Sequence, residues 1–147
     1  CRLGDRGVSV LADALVTRNA SILELDLSSN EISSAGVRAL FADTTAATNI
    51  FGKLNLSLNP IRSEGATILA DALGRNAMPS LKQLDLDYCG IEDDGFLALV
   101  SALEQNTSLQ ILNLEDNNFG ERGFKALADR LPDIKVLQQI TISANAG

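Results

Sequence analysis

Four carboxylates, Asp85, Asp87, Glu115 and Asp116, fall in two similar stretches of the chain, with Asp87 and Glu115 at the same place in each. Three chemistries suit such a group. Paired carboxylates can share acid/base work in hydrolysis. Oxygen ligands can hold Ca²⁺ or Mg²⁺. A negative patch can steer and orient a cationic partner. The first needs an enclosed site that shifts one pKa, and residues on the open face of a strand lack one. The second needs more oxygens than a flat sheet supplies. The third asks only for exposure, and it competes with the plain reading of a solvated acidic face.

The remaining residues narrow the field. The chain of 147 residues contains no His. That removes the commonest general base, the Ser-His-Asp and Cys-His arrangements, and every His-containing metal site. Its two cysteines, Cys1 and Cys89, form no cluster with metal-ligand spacing. The glycines do not follow the phosphate-loop pattern. No catalytic residue, metal or cofactor is therefore assigned. The net charge is −7 and no run of Lys or Arg interrupts it, so nucleic acid is excluded as a partner, because phosphate neutralisation needs clustered cations. No apolar stretch approaches the ~18 residues of a membrane span.

What positions the carboxylates is a repeat. Ile22–Asn30, Phe51–Asn59, Leu81–Cys89, Leu109–Asn117 and Leu137–Asn145 all fit L-x-x-L-x-L-x-x-N/C, with aliphatic substitutions and one Phe. Their starts are 28 to 30 residues apart, and Gly7, Gly36, Gly65, Gly95 and Gly123 form a second ladder of the same period. Each motif alternates apolar and polar residues with period 2, which predicts a short strand. In the first, Leu25 and Leu27 point inward while Glu24, Asp26 and Ser28 point out. Apolar residues then recur at helical spacing: Val8, Leu11, Leu15; Ala66, Leu69, Leu73; Phe96, Leu99, Leu103; Phe124, Leu127, Leu131. Asp5, Ser34, Ser63 and Asp93 stand two residues before the glycines and are read as helix N-caps. Thr44–Asn49 departs from the repeat, with Thr44 at the last helical Leu position, so the second helix is expected to end early. One strand and one helix cannot bury these faces alone, so neighbouring units must stack.

This pattern resembles the leucine-rich repeat proteins, and its period, with segments such as Ile32–Gly36, Ile61–Gly65 and Ile91–Gly95, is similar to the ribonuclease-inhibitor-like subfamily. The resemblance implies an α/β solenoid, a horseshoe arc with a parallel β-sheet on the concave face and α-helices on the convex face. Residues 1–147 then make a single domain of about five repeats, expected to be a segment of a longer array. The resemblance also implies that Cys1, Asn30, Asn59, Cys89, Asn117 and Asn145 turn inward and hydrogen-bond neighbouring backbone. The sequons at Asn19, Asn55 and Asn106 are read as products of the repeat rather than as glycan sites.

The implied function is a non-catalytic protein–protein interaction module in the cytoplasm. Its binding face is the concave sheet: Glu24, Asp26 and Ser28 from the first strand; Lys53, Asn55 and Leu58 from the second; Gln83, Asp85, Asp87 and Tyr88 from the third; Ile111, Asn113, Glu115 and Asp116 from the fourth. Ser29, Leu58, Tyr88, Asp116 and Ala144 lie at its turn-side rim, and Tyr88, Leu58 and Ile111 are its large apolar residues. The partner is another protein, with a basic surface to match the carboxylates; the uncapped ends also allow end-to-end self-association. The subfamily leaves two alternatives open, a GTPase-activating protein of the Ran type and a sensor segment of a nucleotide-binding immune receptor.

Overall fold

Each repeat builds one strand and one helix. In a computed structural model, which describes residues 2–18, 22–42 and 51–145, the chain runs α1 (Gly4–Arg18), β1 (Glu24–Asp26), α2 (Ser34–Leu40), β2 (Lys53–Asn55), α3 (Arg62–Gly74), β3 (Gln83–Asp85), α4 (Asp93–Leu103), β4 (Ile111–Asn113), α5 (Glu121–Arg130) and β5 (Gln139–Thr141), with a 3₁₀ turn at Leu131–Asp133 before the last strand. The strands form one parallel sheet in sequence order. Each pairs with the next at the repeat register, so Leu25, Leu54, Leu84, Leu112 and Ile140 form one inward row. The result is an α/β solenoid, an open curved sheet backed by helices.

The core lies between the two layers. Leu54, Leu84 and Leu112, then Leu56, Leu86 and Leu114, then Ile61, Ile91 and Phe119 are wholly buried in successive rows. Val37, Ala66, Phe96, Leu69 and Leu99 meet them from the helices. Phe96 and Phe119 stack with centroids 3.9 Å apart. Truncating one such leucine to alanine costs about 2–5 kcal/mol. The glycine ladder reflects close helix approach rather than unusual backbone. A Cβ on Gly95 would meet Ser63 Cα at 2.7 Å, and one on Gly123 would meet Phe96 Cδ1 at 2.7 Å.

The inward ladder is the polar counterpart of this core. Asn59 Oδ1 accepts from the N–H groups of Asn30 and Ile32, each at 2.9 Å, and its Nδ2 donates to Leu27 and Leu56 carbonyls, also at 2.9 Å. Asn117 repeats the pattern with Cys89 and Ile91 N–H and with Leu86 and Leu114 carbonyls. Cys89 fills the same rung with sulfur, its thiol donating to Leu56 O at 3.3 Å. Asn145 makes half a rung, since its Nδ2 donates to Leu114 O but its buried Oδ1 has no partner among the described residues. Cys1, the first position of the ladder, lies outside the described residues.

Three local expectations are corrected. Asp5, Ser63 and Asp93 do not cap their own helices; each reaches the start of the next one. Asp5 Oδ1 accepts from Ser33 N–H at 2.8 Å, Ser63 Oγ from Glu92 N–H at 3.0 Å, and Asp93 Oδ1 from Gly120 N–H at 2.9 Å. Ser34 instead donates to Glu64, and the cap of α2 is Ser33, whose Oγ accepts from Ala35 N–H. Leu131 was expected on the inner face of the last helix. It is 51 % exposed, because Pro132 cannot continue the α-helical ladder and the chain tightens into the 3₁₀ turn. The early end of α2 is as expected, at seven residues against 13 for α3; Thr44–Asn49 themselves lie outside the described residues.

Candidate functional site

The outward side chains form columns across the sheet. Register places Glu24, Lys53, Gln83, Ile111 and Gln139 in one column, and Asp26, Asn55, Asp85, Asn113 and Thr141 in the next. Ser28, Ser57, Asp87, Glu115 and Ser143 follow two residues further on, just past the ends of the strands. The outermost column is the rim: Ser29, Leu58, Tyr88, Asp116 and Ala144.

The half of the face on β1 to β3 is neutralised from within. Lys53 Nζ stands 3.1 Å from Glu24 and 3.7 Å from Asp85. The hydrogen bond to Glu24, reinforced by the charges of Asp85, Glu24 and Asp26, raises the Lys53 pKa above its ordinary value despite desolvation. Asp26 is held below the usual carboxylate range, chiefly by the Ser28 N–H at 2.9 Å and then by the Ser28 hydroxyl. Asp85 is buried, with Gln83 Nε2 at 3.0 Å and Asn113 Nδ2 at 2.5 Å from its Oδ1. It organises its neighbours and offers little surface to a partner. Asn55 Oδ1 accepts from Ser57 N–H at 3.0 Å.

The half on β3 and β4 is different. Asp87 is partly buried, and its Oδ1 accepts from Glu115 N–H at 2.8 Å. Burial pushes its carboxyl pKa up; the Glu115 N–H opposes the shift, while the charges of Asp85, Glu115 and Asp116 add to it. The Tyr88 hydroxyl is hydrogen-bonded to Asp116, which raises the phenol pKa. Among the described residues, no ion pair joins Asp87, Glu115 or Asp116 to a cation. The expected acidic group is thus brought together, but as Asp87, Glu115 and Asp116, with Asp85 beneath them.

The rim has a backbone feature the residue types did not signal. Ser29, Leu58, Tyr88, Asp116 and Ala144 all have positive φ, between 52° and 59°. Ser and Asp tolerate this left-handed region passably, but Leu and Tyr rarely adopt it. It turns each rim side chain away from the core, and Leu58 and Tyr88 are left 54 % and 55 % exposed. Ile111 does not join them. It sits in the first column between Gln83 and Gln139, at the far end of the strand from the rim.

Other candidate positions resolve as follows. Asn106 is buried, its Nδ2 donating to Leu73 O at 3.0 Å and its Oδ1 accepting from Leu109 N–H at 2.7 Å. Its sequon therefore serves the fold. Asn19 lies outside the described residues. Among the described residues no three metal-ligating side chains gather, and no helix is long and apolar enough to cross a membrane. Shallow hollows occur along the helix N-terminal edge, for example about 310 Å³ lined by Ser33, Ser34, Pro60, Ile61, Arg62 and Glu64.

The family model described as Leucine Rich repeat matches residues 18–41, 53–70, 77–100 and 105–128. The chain is 30 % identical over 142 residues to human "NACHT, LRR and PYD domains-containing protein 13", covering 97 % of this chain and 13 % of that protein. It is 29 % identical over 131 residues to the ribonuclease inhibitor of Sus scrofa, covering 89 % of this chain and 28 % of the inhibitor. The chain thus spans less than a third of either relative. Among solved structures, leiomodin-1 actin-binding site 2 superposes with a TM-score of 0.74 at 19 % identity, over 89 % of this chain and 76 % of that one. That likeness is one of fold.

Proposed function

The chain belongs to the leucine-rich repeat family, with ribonuclease-inhibitor-like repeats, and from that premise we propose that it is a non-catalytic protein-interaction module whose concave sheet receives a partner protein with a basic surface. The observation that carries this reading is the charge distribution of the face. Lys53 answers Glu24 and Asp85 on one half, whereas among the described residues no cation pairs with Asp87, Glu115 or Asp116 on the other. Like charges this close are unfavourable alone, and a partner's Lys or Arg relieves the repulsion while steering encounter. A cytoplasmic setting suits the buried, unpaired Cys89.

The test is a paired capture from source lysate. One bait is the native chain and the other carries Asp87→Lys and Glu115→Lys, with retained fold checked by circular dichroism. Asp85 is left intact because it is buried. The native bait is expected to retain proteins of net positive charge, to release them as salt shortens the screening length to a few ångströms (about 1 M), and to lose them on charge reversal. Equal retention by both baits overturns the reading.

A further inference from the structure

The exposed apolar pair on the rim narrows what the partner presents. Leu58 and Tyr88 hold the same repeat position on neighbouring repeats, both with left-handed backbone. Leu58 N–H donates to Asp87 O at 2.8 Å and Tyr88 N–H to Glu115 O at 3.0 Å, so the two positions are one strand spacing apart, about 4.8 Å. The other large apolar side chains left exposed among the described residues, Leu3, Val10, Leu23 and Leu131, lie outside this column. Tyr88 is 55 % exposed, so its ring is open to contact. Asp87 and Glu115 flank it.

We infer that Leu58 and Tyr88 form the anchor point of this face, taking from the partner protein an arginine stacked on the Tyr88 ring and an aliphatic side chain laid against Leu58. This rests on the protein-binding reading above and specifies its centre. An aromatic face beside unpaired carboxylates attracts a cation twice over, through the ring quadrupole and through charge. Arginine fits better than lysine. Its guanidinium is planar, so it stacks on the ring while its edge meets a carboxylate, and it is more weakly hydrated than an ammonium. The neighbouring leucine supplies the apolar contact that surrounds such anchors with excluded water.

Tyr88 is the single tyrosine and the chain has no Trp, so intrinsic fluorescence reports on this position alone. A random displayed peptide library selected on the immobilised chain is expected to yield peptides with Arg next to Leu, Ile, Val or Met. Synthetic copies lacking Tyr and Trp should perturb the Tyr88 emission. Their affinity should fall about ten-fold when Arg is replaced by citrulline or when Tyr88→Leu removes the π-face but keeps an apolar side chain, and by a similar factor in Leu58→Ser. Selected basic peptides that bind Tyr88→Leu and Leu58→Ser as they bind the native chain, yet are lost with Glu115→Lys, overturn the anchor and leave the acidic-face reading standing. Selected peptides without basic residues, or no enrichment at all, overturn both.

Discussion

Asp93 of α4 holds the first turn of α5: its Oδ1 accepts from Gly120 N–H at 2.9 Å and from Gly123 N–H at 3.0 Å. Gly120 is the N-cap of α5 and has no side chain with which to do this itself. Asp5 and Ser63 serve the starts of α2 and α4 in the same way. A carboxylate or hydroxyl satisfies orphan helix N–H groups, but here it is supplied by the preceding repeat. The starts of α2, α4 and α5 therefore depend on the preceding repeat, which couples the units of an otherwise one-dimensional fold.

Replacing Asp93 with Ala should cost about 1–2 kcal/mol, as loss of a helix cap does. Asp93→Asn should cost less, since the amide oxygen still accepts. Asp94→Ala removes only an exposed ion pair with Arg122 and should change stability by about 0.5 kcal/mol or less. Urea unfolding of the three variants checks the order. Equal losses for Asp93→Ala and Asp94→Ala would rule out the cap between repeats.

Asp85 should behave as a structural residue although it stands in a surface column. Asp85→Ala leaves the amides of Gln83 and Asn113 without their acceptor and Lys53 with Glu24 alone, at about 1–3 kcal/mol. Glu24→Ala, which breaks an exposed contact with the same lysine, should cost at most about 1 kcal/mol. Chemical denaturation at neutral pH separates the two.

Cys89 should be inert while the chain is folded. Burial pushes its thiol pKa from 9.0 up to about 12, and the thiolate is the reactive form. In a Cys1→Ser background, Ellman's reagent at pH 8 should label Cys89 only as fast as the chain unfolds. The same shift makes stability pH-dependent. The folded state keeps the proton where the unfolded state has lost it, so the Cys89 contribution is complete below pH 9 and is lost as pH rises towards 12. Unfolding curves of the native chain and of Cys89→Ser across that window should diverge in slope, with the native chain falling faster.

Asp87 carries the opposite lesson to a stabilising carboxylate. Its pKa is raised, chiefly by burial, so the folded chain holds this proton more tightly than the unfolded chain. The favourable contribution is present below the ordinary value of 3.8 and is lost as pH rises through the raised value. At neutral pH the ionised group is therefore a net cost. Asp87→Asn keeps an oxygen for Glu115 N–H and removes the charge. It should stabilise the chain at pH 7 by about a few tenths of a kcal/mol, the small size reflecting solvent screening, and the gain should vanish near pH 3. Loss of stability at pH 7 would show that the carboxylate is held by something other than that N–H.

Much of the fold was legible because the repeat states each relationship several times. Leu25, Leu54, Leu84 and Leu112 recur at one period, and a period of 28 to 30 residues leaves room for one strand and one helix per unit. The polar ladder was legible for the same reason: Asn59 and Asn117 share a position and share a bonding pattern. The helix caps were not legible. Asp93 stands at a good capping distance from its own helix and from the next one in space, and spacing along the chain reports only the first. Leu131 kept the helical period, but Pro132 beside it stopped the helix.

The candidate face divides along the same line. Alternation alone determined that Glu24, Asp26, Asp87 and Glu115 share the side of the sheet opposite the leucines, because successive side chains of a strand must point to opposite faces. It also determined that matching positions lie side by side, because a parallel sheet of equal repeats pairs like with like. Tertiary structure decided the depth and the partner of each charge. Asp85 and Asp87 are two residues apart and equivalent by pattern, yet curvature and neighbouring amides bury Asp85, while Asp87 remains partly open beside Glu115. The left-handed rim was likewise decided only by the closing of the inward turn, where the demand of Asn59 and Asn117 for buried backbone partners overrides the preference of Leu58 and Tyr88 for ordinary φ. Hydrogen bonds that a buried turn cannot leave unmade outweigh a local strain of about 1–2 kcal/mol, and that balance exists only when the repeats are stacked.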